Sequence, residues 1–118
     1  MSYFLHTPNT NQLLASLPDV ERYALMADCE TVELAFGKVL FQPGDTITHV
    51  YFPIDSFISL IAVINGGIRL EVAMAGREGM LGTSLVLGIN EAPLLALVQG
   101  SGTALRISAA RFQWLLEK

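Results

Sequence analysis

The stretch Phe57-Ile58-Ser59-Leu60-Ile61-Ala62-Val63-Ile64-Asn65-Gly66-Gly67-Ile68-Arg69-Leu70-Glu71-Val72-Ala73-Met74-Ala75 decides the fold class of this chain. Phe57 to Ile64 is an almost unbroken apolar run of strand length, interrupted only by Ser59. Asn65-Gly66-Gly67 is a strong hairpin turn, because Asn and Gly accept positive φ. The chain then returns with Ile68, Leu70, Val72 and Met74 alternating with Arg69 and Glu71, the period of a half-buried strand.

The same period extends upstream. Val32, Leu34 and Phe36 alternate with Thr31, Glu33 and Ala35. Val39 to Phe41 is a short strand closed by the turn Gln42-Pro43-Gly44-Asp45, and Ile47 to Phe52 is another, with Val50 and Phe52 on one face. Downstream, Leu94 to Gln99 and Thr103 to Ile107 are strands split by Gly100-Ser101-Gly102. About seven short strands with regular turn signals predict a sandwich, barrel or jelly roll.

Helices flank the strands. Leu13, Leu14 and Leu17 form a short apolar stripe before Pro18, a favourable first helical residue. Ser16 is placed to cap the following helix, and Val20, Tyr23, Ala24 and Ala27 are its expected core face. Ser108 is a good N-cap for a closing helix carrying Phe112, Trp114, Leu115 and Leu116. That helix is still running at Lys118, so the chain reads as a fragment of a longer one.

Composition narrows the function. The 118 residues suit one domain that needs no metal or disulfide staple. Seven basic against eleven acidic residues give a net charge of −4, which argues against nucleic-acid binding by this chain and against a polybasic membrane anchor. No apolar run reaches membrane-spanning length, and Met1 to His6 is not a secretory signal. Cys29 is the only cysteine, which excludes an internal disulfide and suits a cytoplasmic home. Only 15 % of residues are charged and 52 % are hydrophobic, an apolar surplus that suggests surface covered by another body. Phe112, Trp114 and Leu115 are the candidate residues for such an interface.

Catalytic chemistry has little support. His6 and His49 are the only histidines, too few for a cupin-type metal site, and no metal is expected. No nucleophile elbow, Walker lysine or paired carboxylate motif occurs, so the chain reads as no enzyme. The most informative segment is Gly76-Arg77-Glu78-Gly79-Met80-Leu81-Gly82, followed by Thr83 and Ser84. Its glycines let a backbone approach a ligand closely, and amides opening a helical turn can hold an anion. The plainer reading is a loop whose glycines supply positive φ.

At this point the order of parts resembles a known family. Leu14-Ala15-Ser16-Leu17-Pro18, Val39-Leu40-Phe41-Gln42-Pro43-Gly44-Asp45, His49-Val50-Tyr51-Phe52-Pro53 and Gly76-Arg77-Glu78-Gly79-Met80-Leu81-Gly82 are similar to the N-terminal sensory domain of Crp/Fnr-type bacterial transcription regulators. The resemblance runs from about Asn11 onward. It implies a mainly β fold, a double-stranded β-helix or jelly roll of the cyclic-nucleotide-binding type with short flanking α-helices. One sensory domain is expected over 1–118, with N-terminal helices at 9–28, the β-roll at 31–107 and a closing helix from 108 to 118.

The resemblance also implies a homodimer in the full-length protein, with DNA bound through a C-terminal domain that this chain lacks. A helix-turn-helix pattern in the reading frame beyond Lys118 is expected on that reading. It implies an effector held against the roll, for which Glu71, Met80, Leu81, Gly82, Thr83 and Ser84 are the candidate ligand-binding residues. Cyclic-nucleotide binders of the family carry a Gly-Glu pair, and an Arg-Ser or Arg-Ala pair about ten residues later. Here Gly82 matches, Thr83 stands in place of Glu, and Ala92-Pro93-Leu94-Leu95 brings no arginine. A cyclic nucleotide is therefore not expected in the usual manner, and the cofactor is unknown. His49 and Met80 are poor grounds for haem. Two rivals are a stand-alone cupin-like jelly roll that binds a small molecule or metal, and a degenerate roll kept only for dimerisation.

Overall fold

A computed structural model describes residues 10–117. His6 and the expected helix start at 9 lie outside the described residues, as does Lys118. The elements run α1 (Gln12–Ala15), α2 (Asp19–Ala27), β1 (Glu30–Leu34), β2 (Val39–Phe41), β3 (His49–Pro53), β4 (Phe57–Ile64), β5 (Ile68–Ala75), β6 (Leu95–Gly100), β7 (Gly102–Ser108) and α3 (Ala109–Leu116). The strands form two antiparallel sheets, ordered β1-β7-β3 and β2-β6-β4-β5. The jelly-roll expectation is met.

Between the sheets lies the apolar core. Phe41 of β2 meets Tyr51 of β3 edge to face, ring centroids 6.3 Å apart. Ile58, Ala96, Val98 and Ala104 are buried beside them. The helices close the other face of the three-stranded sheet, where Phe52 of β3 and Phe112 of α3 pack at 6.4 Å. Each such aromatic burial contributes about 1.5–3 kcal/mol of transfer free energy.

Local chemistry explains most element ends. Ser108 caps α3 by accepting the Arg111 amide at 3.2 Å, as expected. Asn65-Gly66-Gly67 turns β4 into β5 with both glycines at positive φ. Ser16 does not cap α2: its hydroxyl donates to the Leu13 carbonyl at 2.7 Å and so ends α1, while Pro18 stands at the α2 N-cap. The expected core face of α2 is also corrected. Val20, Tyr23, Ala24 and Ala27 are exposed and Leu25 points inward. Short apolar residues at helical spacing fit either of two faces, and packing under Leu25 chooses the other.

Two strand readings change as well. Phe36 lies beyond the end of β1 and is exposed, because the chain turns at Gly37 with φ +85°. In β5 the alternation breaks. Leu60 pairs with Ala73 but Ile61 pairs with Glu71, so one extra residue of β5 forms a bulge at Val72. Ile68 and Leu70 therefore share a face, while Met74 moves to the face of Ser59 and Glu71.

Candidate functional site

The segment after β5 is drawn onto the wall of the roll by backbone pairing. The Leu81 amide donates to the Tyr51 carbonyl at 2.8 Å and the Tyr51 amide to the Leu81 carbonyl at 3.1 Å. Gly82 then takes φ +110° and starts a five-residue 3-10 helix, Thr83–Leu87. A side chain at Gly82 would come within 3.2 Å of Val50 Cγ2, so glycine serves both the turn and the close approach.

This arrangement leaves a cavity of about 100 Å³ against the roll, lined by Phe41, Ile47, Leu60, Met80, Leu81, Gly82, Thr83, Ser84, Ala92, Pro93 and Leu94. No charged side chain is among them. Thr83 and Ser84 supply the side-chain hydroxyls. Pockets for drug-sized ligands run to roughly 300–1,000 Å³, so this one is small. The 3-10 helix is short and the lining carries no cation, so the anion-holding reading of this turn gains nothing here.

Five of the six candidate ligand residues, Met80 to Ser84, line the cavity. Glu71 does not. Leu60 points into the cavity, and Ser59 and Ile61 lie on the opposite face of β4. Glu71 is paired with Ile61 and its Oε1 accepts the buried Ser59 hydroxyl at 2.7 Å. Strand alternation puts Glu71 on the side of the sheet away from Leu60.

Phe41, Ile47 and Leu60 were not singled out from the sequence as lining residues. Only the inward alternation of β4 could have pointed to Leu60. The candidate interface residues divide. Phe112 is buried against Phe52 and belongs to this chain's own core. Trp114 is 45 % exposed, with the Arg111 guanidinium 4.1 Å over its ring. Leu115 is half-buried and lines a groove between α2 and α3 with Leu17, Val20, Glu21, Ala24, Leu25, Phe112 and Leu116.

The other reactive groups lie apart from the cavity lining. Among the described residues, no three of His, Cys, Asp and Glu converge as metal ligands would. His49 is held below its ordinary pKa by partial burial and then by the Arg106 charge, with Glu30 acting the other way. Burial, reinforced by Asp28, pushes the Cys29 thiol up to about 11. A thiol so rarely ionised is a weak nucleophile. Cys29 should react with a disulfide reagent at neutral pH roughly tenfold more slowly than an ordinary thiol, because its lower thiolate fraction outweighs the greater nucleophilicity of a more basic thiolate. A stopped-flow trace at the free-cysteine rate would show that the thiol is more open than this.

No family model and no curated protein matches the sequence. Solved structures match its shape. The c-di-GMP responsive global regulator CLP of Xanthomonas campestris aligns at TM-score 0.72 and 19 % identity, over 86 % of this chain and 49 % of that one. A cyclic nucleotide-binding-like protein of Brucella abortus aligns at 0.70 and 23 %, over 90 % of both chains. The sensor domain of the transcriptional regulator DNR of Pseudomonas aeruginosa aligns at 0.75 and 17 %, over all of this chain and 81 % of that one.

The fold is the cyclic-nucleotide-binding β-roll.

The chain spans about half the length of the Xanthomonas regulator. Within this β-roll, Thr83 occupies the position where the sequence resemblance expects a glutamate, and it faces the cavity. Ala92, Pro93 and Leu94, from the stretch expected to bring an arginine, line the same cavity with apolar groups. No helix among the described residues is long and apolar enough to cross a membrane.

Proposed function

We propose that this chain is the effector-sensing β-roll of a Crp/Fnr-like transcription regulator, and that its roll takes no cyclic nucleotide by phosphate pairing. The observation that carries the second part is the uncharged lining of the cavity. A cyclic phosphate brought there would lose its hydration without gaining a guanidinium, and charge-assisted pairing is what normally offsets that loss. A small, largely apolar effector fits better, with the Thr83 and Ser84 hydroxyls as its polar handles. Met80, Leu81, Gly82, Thr83 and Ser84 are the residues proposed to meet it.

The sensing role is supported by the fold shared with regulator sensor domains, and it makes this a binding module rather than an enzyme. An effector would act by favouring one arrangement of the outgoing helix α3, which requires different affinities for two states. Dimerisation in the longer protein and DNA contact through a further domain belong to the same proposal.

Thermal unfolding with cAMP, cGMP and c-di-GMP tests the cavity reading. A ligand at a hundred times its Kd would add about 2.7 kcal/mol, a shift on the order of 10 °C for a domain of this size. No shift is expected with any of the three. A shift of that size with one of them would mean that the arginine-free wall still holds a phosphate, and the proposal would fail.

A further inference from the structure

We propose that two copies of this chain pair through the free edge of β5, as antiparallel strands related by a two-fold axis at Leu70. The inference is independent of the effector reading. It starts from the sheet order. Among the described residues, β5 is the end strand of its sheet and pairs only with β4. The backbone groups along its outer edge form a template for another strand.

Apolar side chains are exposed along this strand and its neighbour. Ile68, Leu70 and Val72 are 62 %, 55 % and 51 % exposed, and Val63 and Ile64 beside them on β4 are also exposed. Edge strands are commonly blunted by proline, by charged side chains or by a bulge. β5 has no proline, and its bulge falls at Val72, beyond the stretch Arg69 to Glu71. Its only charges are Arg69 and Glu71, of opposite sign, one on each side of Leu70 and on the same face.

That placement is self-complementary. With the axis at Leu70, Arg69 of one copy lies opposite Glu71 of the other, twice. Leu70 meets its own copy, and the regular paired stretch is Arg69 to Glu71. An axis at Arg69 or at Glu71 would instead set like charges face to face, which is destabilising. The charges therefore select one register, and an isologous contact of this kind closes at two copies. The paired stretch around Leu70 precedes the bulge at Val72, where the strand is still regular. Glu71 keeps one oxygen on the Ser59 hydroxyl and offers the other across the axis.

Sedimentation velocity of the 118-residue chain over a range of concentrations tests this. A reversible monomer–dimer equilibrium is expected. Arg69→Glu replaces two attractive pairs by two repulsive ones, and Leu70→Lys sets two cations together on the axis. Each should raise the dimer Kd about tenfold or more. Both residues are exposed, so circular dichroism should show both variants folded. Val20→Glu, on exposed α2, should leave the equilibrium unchanged. A chain that stays monomeric at every concentration overturns the proposal. So does a dimer that ignores Arg69→Glu and Leu70→Lys, or one that Val20→Glu breaks instead.

Discussion

Replacing Asn11 by aspartate should destabilise the folded chain by about 3–5 kcal/mol at neutral pH. For a domain of this size that lowers Tm by roughly 15 °C. Asn11 is fully buried. Its Nδ2 donates to the Pro53 carbonyl at 2.7 Å and to the Gly79 carbonyl at 2.9 Å, and its Oδ1 accepts the Leu14 amide at 3.1 Å. Two carbonyls can only accept, so the amide nitrogen must face them. One side chain thus caps α1 and ties it to the end of β3 and to the loop before the cavity. A carboxylate would set a buried negative charge against two carbonyl oxygens.

The variant's pH dependence gives a second readout. Burial and the two carbonyls would raise the pKa of Asp at position 11 in the folded state above its unfolded value. Its cost is therefore smallest below the ordinary carboxylate pKa, where the group is neutral in both states. The cost grows as pH rises through the raised folded pKa. The neutral acid still donates only one hydrogen bond where the amide donates two. Asn11→Ala removes all three bonds without adding charge. It should cost less at neutral pH, about 2–3 kcal/mol, and without this pH dependence. Thermal melts from acid to neutral pH compare the two. Equal losses at all pH values would show that a carboxylate at this position meets no buried-charge penalty.

Asn11 also shows where sequence reading stops. The sequence expectation started the first helix at Asn9 and gave Asn11 no role. Its partners Pro53 and Gly79 lie 42 and 68 residues away. No local pattern encodes contacts of that range. By contrast, β4 and β5 have the expected bounds, because an apolar run, an Asn-Gly-Gly turn and an alternating return are all local signals. The bulge at Val72 is not local. It depends on how β4 and β5 pair, so Met74, which alternation alone places with Ile68 and Leu70, lies on the other face with Arg69 and Glu71. The cavity divides the same way. Met80 to Ser84, which line it, sit in one segment whose glycine spacing is visible in the sequence. Phe41, Ile47 and Leu60 come from other parts of the chain and meet that segment only when the sheets close. On α2 the composition allowed two faces, and only the position of Leu25 beneath the helix decides between them.

Glycine at 102 is the second position where a small change should have a large effect. A Cβ there would lie 2.6 Å from the Asp55 carbonyl oxygen and 2.6 Å from its Oδ1. Neither atom can readily retreat. Asp55 Oδ1 accepts the Thr103 amide at 2.6 Å and the Thr103 hydroxyl at 2.8 Å. On either side of it, the Ile54 amide and the Ser56 hydroxyl both bond the Thr103 carbonyl, at 3.0 and 2.8 Å. Gly102→Ala must push this corner apart and should cost about 3 kcal/mol, or roughly 12 °C in Tm. Gly100 is the control. A Cβ there would strike the ring of Phe57, but that ring is 38 % exposed and can swing outward. Gly100→Ala should therefore cost about 1 kcal/mol or less, the price of one side-chain adjustment. Asp55 supplies an independent check. The Thr103 amide and hydroxyl hold its carboxyl below the ordinary pKa. Its contribution is present above the unfolded carboxylate pKa and is lost as pH falls through the lowered folded value. Displacing Asp55 from Thr103 should bring that pKa back toward the ordinary range in the Gly102→Ala chain, visible in a carboxyl NMR titration. A stable Gly102→Ala protein with an unmoved Asp55 titration would mean that the corner yields without breaking, and that the two glycines do not differ.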